Sequence, residues 1–442
     1  MKKNLIFFMF CAIFALFNVN LMAQESKAAI LLTSASAVEI ALKNNPAITQ
    51  SELGISAAQA TLKQAQAANL PTLTAGATGS YVDRADFKTV NYNVTLTWPI
   101  LPLTAFSAIK EGASANYNSS IYNFIRKVEQ IAYQTKTAYN NCLLAYEMAN
   151  VAADAVAISE NSLRIAKLKH ESGVSAKIDV DQATASLESS RVSLIKAQNG
   201  AALAKSALLM SMGLPANSDE FEIATDIGTA PQLEGQIAEL TNRALGARAD
   251  LKALDEQIRA VSANAKSVKA NELPSLAFQA SYSDRLLGDR SPASTAGITA
   301  GLSLNYTVFD FHSKENASRG AAIQAEQIKS SRTQLELGII LEVQQAMLNL
   351  TAAKNQLVSA EAQLTASREA LRIAELRYQE GQGILLEVDQ ARLSVTSAQN
   401  SVAQAMIDAL NAYAALEYAV GDGYKRVENS RDVEFLTNGY LL

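Results

Sequence analysis

The chain is written twice. Leu163 to Gly213 aligns with Leu371 to Gly421 without a gap, an offset of 208 residues. Leu163-Arg164-Ile165-Ala166 recurs as Leu371-Arg372-Ile373-Ala374, and Val180-Asp181-Gln182-Ala183 recurs as Val388-Asp389-Gln390-Ala391. The ungapped match reaches back to Trp98 and Tyr306. Further upstream the offset is 203, where Ala41-Leu42 meets Ala244-Leu245 and Leu70-Pro71 meets Leu273-Pro274. A longer loop between the strands of the second copy absorbs the difference. Each copy holds a pair of strand-like segments within long alanine-rich helix, so the architectural unit is helix–hairpin–helix, made twice.

The first residues read as a secretory signal over 1–23. Lys2 and Lys3 carry the charge, Leu5 to Phe17 is apolar, and Leu21-Met22-Ala23 supplies small-residue cleavage chemistry. That apolar run, about 13 residues, is shorter than the roughly 20 needed to span a bilayer. No other uninterrupted apolar stretch approaches that length. Removing the two lysines takes the net charge from −5 to −7, which disfavours nucleic acid as a partner. Cys142 is the one cysteine beyond the signal, so no intrachain disulfide is expected.

From Leu103 to Lys169, and again from Ser313 to Glu380, proline is absent and alanine, glutamine, leucine and charged residues dominate. Both stretches are predicted to be single helices of roughly 100 Å. Val343, Leu350, Leu357, Leu364, Leu371 and Tyr378 recur every seven residues, with Ala346, Ala353, Ala360, Ser367 and Ala374 three residues later. The first copy keeps the second row as Ala138, Ala145, Ala152, Ser159 and Ala166. A seven-residue repeat specifies a supercoiled contact, and small residues let its backbones approach closely. An ordinary coiled coil carries the same signature. Glycine-bearing turns at His170–Gly173 and Gln379–Gly383 send each helix back on itself.

Between the helices the period changes to two. Leu73, Ala75, Ala77 and Tyr81 alternate with small polar residues, as do Tyr92, Val94, Leu96 and Trp98. The second copy offers Leu276, Phe278, Ala280 and Tyr282, then Ile298, Ala300, Leu302, Leu304 and Tyr306. About ten residues per strand, one apolar face and aromatics toward the ends describe a transmembrane β-strand. Tyr81, Tyr92, Trp98, Tyr282 and Tyr306 are the expected aromatic girdle. Alternation alone also fits hairpins on a soluble core; four matched strands behind a signal peptide favour the membrane. Four strands cannot close a barrel, and open edges are not tolerated in hydrocarbon, so closure requires several copies. Three copies give twelve strands.

In order and spacing these features resemble the TolC-like outer-membrane efflux family from about Ala37 to Gly421. The resemblance rests on Ala41-Leu42-Lys43-Asn44-Asn45-Pro46, its counterpart from Ala244 to Leu251, the two Leu-Pro strand entries, and the Gly173–Ala183 and Gly381–Ala391 turns. It implies a mostly α fold with a membrane β-barrel: a long α-helical barrel joined to a 12-stranded β-barrel shared by a homotrimer. The implied organisation is a first repeat at 24–213 (hairpin 71–99, helical hairpin 103–212) and an equatorial linker at 214–236. A second repeat follows at 237–421 (hairpin 274–308, helical hairpin 313–420), then an equatorial tail at 422–442. The implied role is exit duct of a tripartite efflux or type I secretion system. Its partners are a periplasmic adaptor (membrane fusion) protein, an inner-membrane pump of RND or ABC type, and outer-membrane lipid. The rival class is a non-transporting coiled-coil structural or adhesive envelope protein.

A duct needs no catalytic residues, and the sequence offers no catalytic constellation, phosphate loop or metal-ligand spacing; no cofactor or metal is expected. The candidate gate is a set of residues around the turns: Asp179, Asp181, Glu387, Asp389 and Tyr378. In a symmetric assembly one acid becomes a ring, and such rings favour cations at a constriction. Acids in a helix's first turn also simply complement its dipole. The resemblance places Asp179 and Glu387 at the periplasmic entrance and Tyr378 in its closing network. Gln390 stands where the best-known member has a second acid, and Gly383 where it has an arginine. The lack of methionine and histidine clusters argues against a dedicated copper or silver exporter.

Overall fold

The computed structural model describes residues 30–82, 87–218, 221–224, 235–287 and 296–422. The expected signal peptide, the tail after residue 422 and parts of the linker at 214–236 lie outside the described residues. In chain order the elements are β1 (Ile30–Leu32), α1 (Ser34–Asn44), α2 (Pro46–Gln66), β2 (Thr72–Val82), β3 (Phe87–Leu101), α3 (Leu103–Glu171), α4 (Lys177–Ser211) and β4 (Phe221–Ile223). They continue with α5 (Ile237–Ala247), α6 (Ala249–Ala270), β5 (Ser275–Leu287), β6 (Gly297–Asn305), α7 (Ser313–Gln379) and α8 (Leu385–Val420).

Helices α3 and α7 are 69 and 67 residues long, about 100 Å each at 1.5 Å per residue. The strands sit at their N-terminal ends and the hairpin turns at their C-terminal ends, so the two features are a helix length apart. One stretch of α3 is apolar enough to pass for a membrane helix by composition, but α3 packs along its course on α2, α4, α6 and α8. On α7 the heptad row is buried where the helix meets α8: Val343, Ala346, Leu350, Ala353, Leu357 and Ala360. Beyond Ala360 the same row is only half-buried, at Leu364, Ser367, Leu371, Ala374 and Tyr378.

The flanking helix is built from two pieces. Toward the turns α3 is flanked by α4, and toward the strands by α2. They meet at Gly213, which follows α4 with φ +74°; a Cβ there would lie 2.6 Å from the carbonyl oxygen of Asn44. Asn45 secures the junction. Its side chain donates to the Ser211 carbonyl at 2.9 Å and accepts from Ala47 N at 2.9 Å, capping α2 ahead of Pro46.

The second repeat has the same junction with different chemistry. Arg248 stands where Asn45 does, and its Nη1 donates to the Ala419 carbonyl at 3.2 Å, the equivalent of Ser211. A guanidinium needs more partners than an amide. Arg248 is 4 % exposed and forms a forked pair with Asp250 (Nη2–Oδ2 2.6 Å) and an ion pair with Glu342 on α7. Beside it Arg126 pairs with Glu129 at 2.8 Å, lies over the Tyr418 ring at 3.7 Å and donates to the Tyr418 carbonyl. Burial raises the carboxyl of Glu129 above its ordinary value, with Arg126 opposing. For Asp250, burial also pushes upward, but the Arg248 hydrogen bonds and the Arg248 and Arg126 charges outweigh it and hold the carboxyl low. Cys142 is fully buried in the first repeat's core, and burial pushes its thiol up to about 12.

Strands β2, β3, β5 and β6 form one antiparallel sheet in that order, leaving β2 and β6 as edges. Pairing between β2 and β3 runs from Thr72↔Thr97 to Val82↔Phe87, and β3–β5 pairing extends to Val90↔Leu287. The hairpins therefore reach farther than their alternating segments suggest, because backbone pairing continues after the side-chain pattern ends. The short β1 and β4 pair in parallel, with the Tyr139 hydroxyl 3.2 Å from the Leu32 carbonyl oxygen and 3.1 Å from that of Ala224.

Two outcomes follow from the junctions. Gly213→Ala must adopt a left-handed backbone and displace Asn44, and should cost about 2–3 kcal/mol. Gly173→Ala, with the same φ but open space around it, should cost nearer 1 kcal/mol; thermal midpoints in detergent rank the two. Arg248→Met removes the ion-pair partner of Glu342 and leaves Asp250 paired with Arg126 at 3.5 Å, and should cost about 2 kcal/mol at pH 7. Asp250 has a depressed folded value, so its contribution is present above the unfolded carboxylate pKa. It is lost as pH falls below about 4. The gap between variant and wild-type midpoints should therefore narrow from pH 7 to pH 3.

Candidate functional site

The turns at the ends of the two helical hairpins come together. Each long helix stops at a glycine with positive φ, Gly173 (+74°) and Gly381 (+76°). Val174 N donates back to Lys169 O at 2.8 Å, and Gln382 N donates to Arg377 O at 2.9 Å, satisfying carbonyls that the helix leaves open. The returning helices lack a side-chain cap but carry an acid in the first turn, Asp179 on α4 and Glu387 on α8. A small apolar cluster joins the hairpins: Leu385 of the second lies buried with Ala166 and Ala183 of the first, beside Leu163, Val180 and Tyr378.

Polar contacts surround that cluster. Lys169 Nζ donates to the Tyr378 carbonyl at 2.8 Å and sits 3.6 Å from the centre of the Tyr378 ring. One cation thus bonds the end of α7 and faces its aromatic ring. Arg392 on α8 reaches Glu375 at 3.0 Å, Ser162 of the first hairpin, and Asp389 at 3.8 Å. Three buried polar atoms here have no hydrogen-bond partner: Ser175 Oγ, Tyr378 Oη and Arg392 Nε. Burial raises the Tyr378 phenol, assisted by the negative charges of Asp179 and Asp389 and opposed by Arg392. Burial likewise raises the Asp389 carboxyl, with Arg392 opposing.

The structure regroups the five expected gate residues. Tyr378 shares its surroundings with Asp179 and Asp389. Glu387 faces elsewhere, 3.9 Å from Arg377 on the half-exposed side of the turn. Asp181 is exposed on α4. Gly383 matters to the Glu387 pair, because a Cβ there would come within 3.2 Å of the Glu387 carboxylate and 3.3 Å of Arg377 Cβ. Lys169, Arg377 and Arg392 are the residues that sequence reasoning missed. A signal existed for two of them, since the offset of 208 aligns Lys169 with Arg377 and so keeps a cation before both turns. Arg392 aligns with Thr184 and left no such trace.

At the other end, the expected girdle residues occupy different levels of the sheet. Tyr81 lies near the hairpin loop, opposite Lys88, and Trp98 near the helices, opposite Phe278 and donating to the Asn69 carbonyl at 3.1 Å. Tyr306 follows the end of β6. Tyr92 and Tyr282 lie between these levels, with ring centres 6.1 Å apart and the Tyr92 hydroxyl donating to Asp284 at 3.1 Å.

The chain is 24% identical over 362 residues to the outer membrane efflux protein BepC of Brucella suis, covering 79% of this chain and 75% of that protein. Its fold matches the CmeC outer membrane channel of Campylobacter jejuni, with a TM-score of 0.76 and 17% identity, covering 92% of this chain and 93% of that one. It also matches the open-state MtrE outer membrane channel of Neisseria gonorrhoeae, with a TM-score of 0.76 and 20% identity, covering 89% and 90%. Residues 37–214 and 240–422 match the outer membrane efflux protein family in two successive segments, one per repeat. The chain is a member of the outer membrane efflux protein family.

Proposed function

We propose that three copies of this chain form a channel-tunnel that passively conducts substrates from the periplasm to the exterior. In this reading the sheets join into one lipid-facing barrel and the helices into a periplasmic tunnel. The duct serves a tripartite efflux or type I secretion system, meeting a periplasmic adaptor and an RND or ABC pump. The observation that carries it is the open sheet. Among the described residues neither edge strand has a partner within the chain, while Leu73, Ile298, Leu302 and Leu304 stand exposed. Unpaired edges in hydrocarbon leave backbone groups unsatisfied at several kcal/mol each, so the sheet becomes stable there only by closing on other copies.

The same reading assigns the hairpin ends to the tunnel's periplasmic entrance. Asp179, Asp181, Glu387, Asp389 and Tyr378 line or close it, and Lys169 holds the second hairpin's end against the first. Three acids related by symmetry in a narrow opening attract and retain cations.

Outer-membrane extracts should yield an oligomer that dissociates only on boiling and conducts in planar bilayers; a monomer extracted by salt would sink the channel reading. Replacing Asp179 and Glu387 by alanine should weaken block by multivalent cations and change conductance in an assembled oligomer. Unchanged block removes them from the constriction. Lys169→Met keeps the stem and deletes the charge. A partly exposed cation–π contact contributes about 1 kcal/mol, so the open population should rise roughly fivefold per protomer, seen as higher mean conductance.

A further inference from the structure

The duplication supplies a template for how copies meet. Within one chain the second repeat seats on the first through α3, which packs on α6 and α8, and through β3, which pairs with β5. Continuing the same relation by one step places α7 of one copy against α2 and α4 of the next, and β6 against β2. No comparable contact joins α7 to α2 or α4 within the chain, among the described residues. These are the faces left over.

Translating individual contacts by the offsets tests whether those faces fit. Inside the chain Tyr133 on α3 stacks on Tyr418 of α8, ring centres 5.1 Å apart, and Asn140 donates to Asn411 at 2.9 Å. Subtracting or adding 208 turns the first pair into Leu341 with Met210, and the second into Leu348 with Leu203. All four are large apolar side chains standing in solvent, at 64%, 71%, 57% and 72% exposure. A soluble surface has no use for four such residues at matched positions. A third in-chain contact, Lys136 with Glu417 at 2.7 Å, translates to Gln344 with Leu209. Leu209 is already buried in its own core, so the translated face drops that ion pair.

The sheet translates equally well. Leu96↔Ala280 and Trp98↔Phe278 become Leu304 opposite Ala77 and Tyr306 opposite Ala75, using offsets of 208 and 203. Large residues at the end of β6 and just beyond it then face small ones on β2. The step also explains where β6 ends. Its last rung is Asn305↔Ser275, whereas β3 continues to Leu101; among the described residues, the equivalents of Trp98–Leu101, Tyr306–Phe309, have no strand of their own chain beside them.

We propose that a second copy of this chain seats on α7 and β6 in this register, with Leu341 against Met210, Leu348 against Leu203, and Leu304 opposite Ala77 of the neighbour. The proposal rests on the shared-wall reading above and adds the residue pairing. Its chemistry differs from that of the in-chain contact. The repeats of one chain are tethered, so polar and stacked pairs suffice there. Separate copies must find each other, and where α7 meets α4 their face is apolar. Where α7 meets α2, the in-chain pair Lys266–Glu111 at 3.2 Å translates to Lys63 with Arg319, so that ion pair is not kept between copies.

Paired cysteines read the register directly in the full-length protein. Leu203→Cys with Leu348→Cys, treated with a short bis-methanethiosulfonate, should give covalent dimers and trimers in the heat-modifiable oligomer. The singly substituted chains should give none. Ile195→Cys with Leu348→Cys, shifted eight residues or about 12 Å along the helix, should link at least tenfold less. Ala77→Cys with Leu304→Cys repeats the measurement in the sheet, where facing residues are close enough for a direct disulfide, and guards against a helix pair that fails to assemble. An intact oligomer that links equally well through the shifted pair, or through neither matched pair, overturns the register and leaves the shared wall standing. A monomer without cross-links overturns both.

Discussion

A helix of 69 residues has no core of its own and is held only by what lies along it. Everything else in this chain answers that constraint. Small residues in the seam let the flanking helix approach closely, and the flank is assembled from two shorter helices set end to end. Their meeting point tolerates no side chain at Gly213, where the backbone of Asn44 occupies the space a Cβ would need. The position of one glycine therefore fixes how the two halves of each unit line up, and with them the distance between sheet and turns.

The two repeats solve the same junction problem with unlike chemistry. Asn45 is neutral and satisfied by two hydrogen bonds, whereas Arg248 brings a buried charge that draws Asp250 and Glu342 into a network reaching α7. Adjacent Arg126 extends it to α3 and, through Tyr418, to α8. The charged junction links both repeats, while the neutral one stays within the first.

Much of the architecture was legible from the residues. The heptad row on α7 is buried from Val343 to Ala360, and the four alternating segments became strands. Beyond Ala360 the same row is only half-buried, which the heptad spacing alone does not signal. The candidate site was legible as a place more than as a set of contacts. Glu387 and Asp389 are two residues apart on α8, so they cannot face the same way, and the structure separates them. Lys169 and Arg392 were invisible as partners because each acts across the boundary between repeats, where spacing along the sequence carries no information.

Cys142 shows what this arrangement means for an outer-membrane protein. The compartment beyond the inner membrane is kept oxidising, and a free thiol there risks covalent mispairing with another molecule. Interred without solvent contact and with its proton held up to about 12, the sulfur offers almost no thiolate to react. Once the chain is folded, this sulfur is insulated from oxidative cross-linking by packing alone.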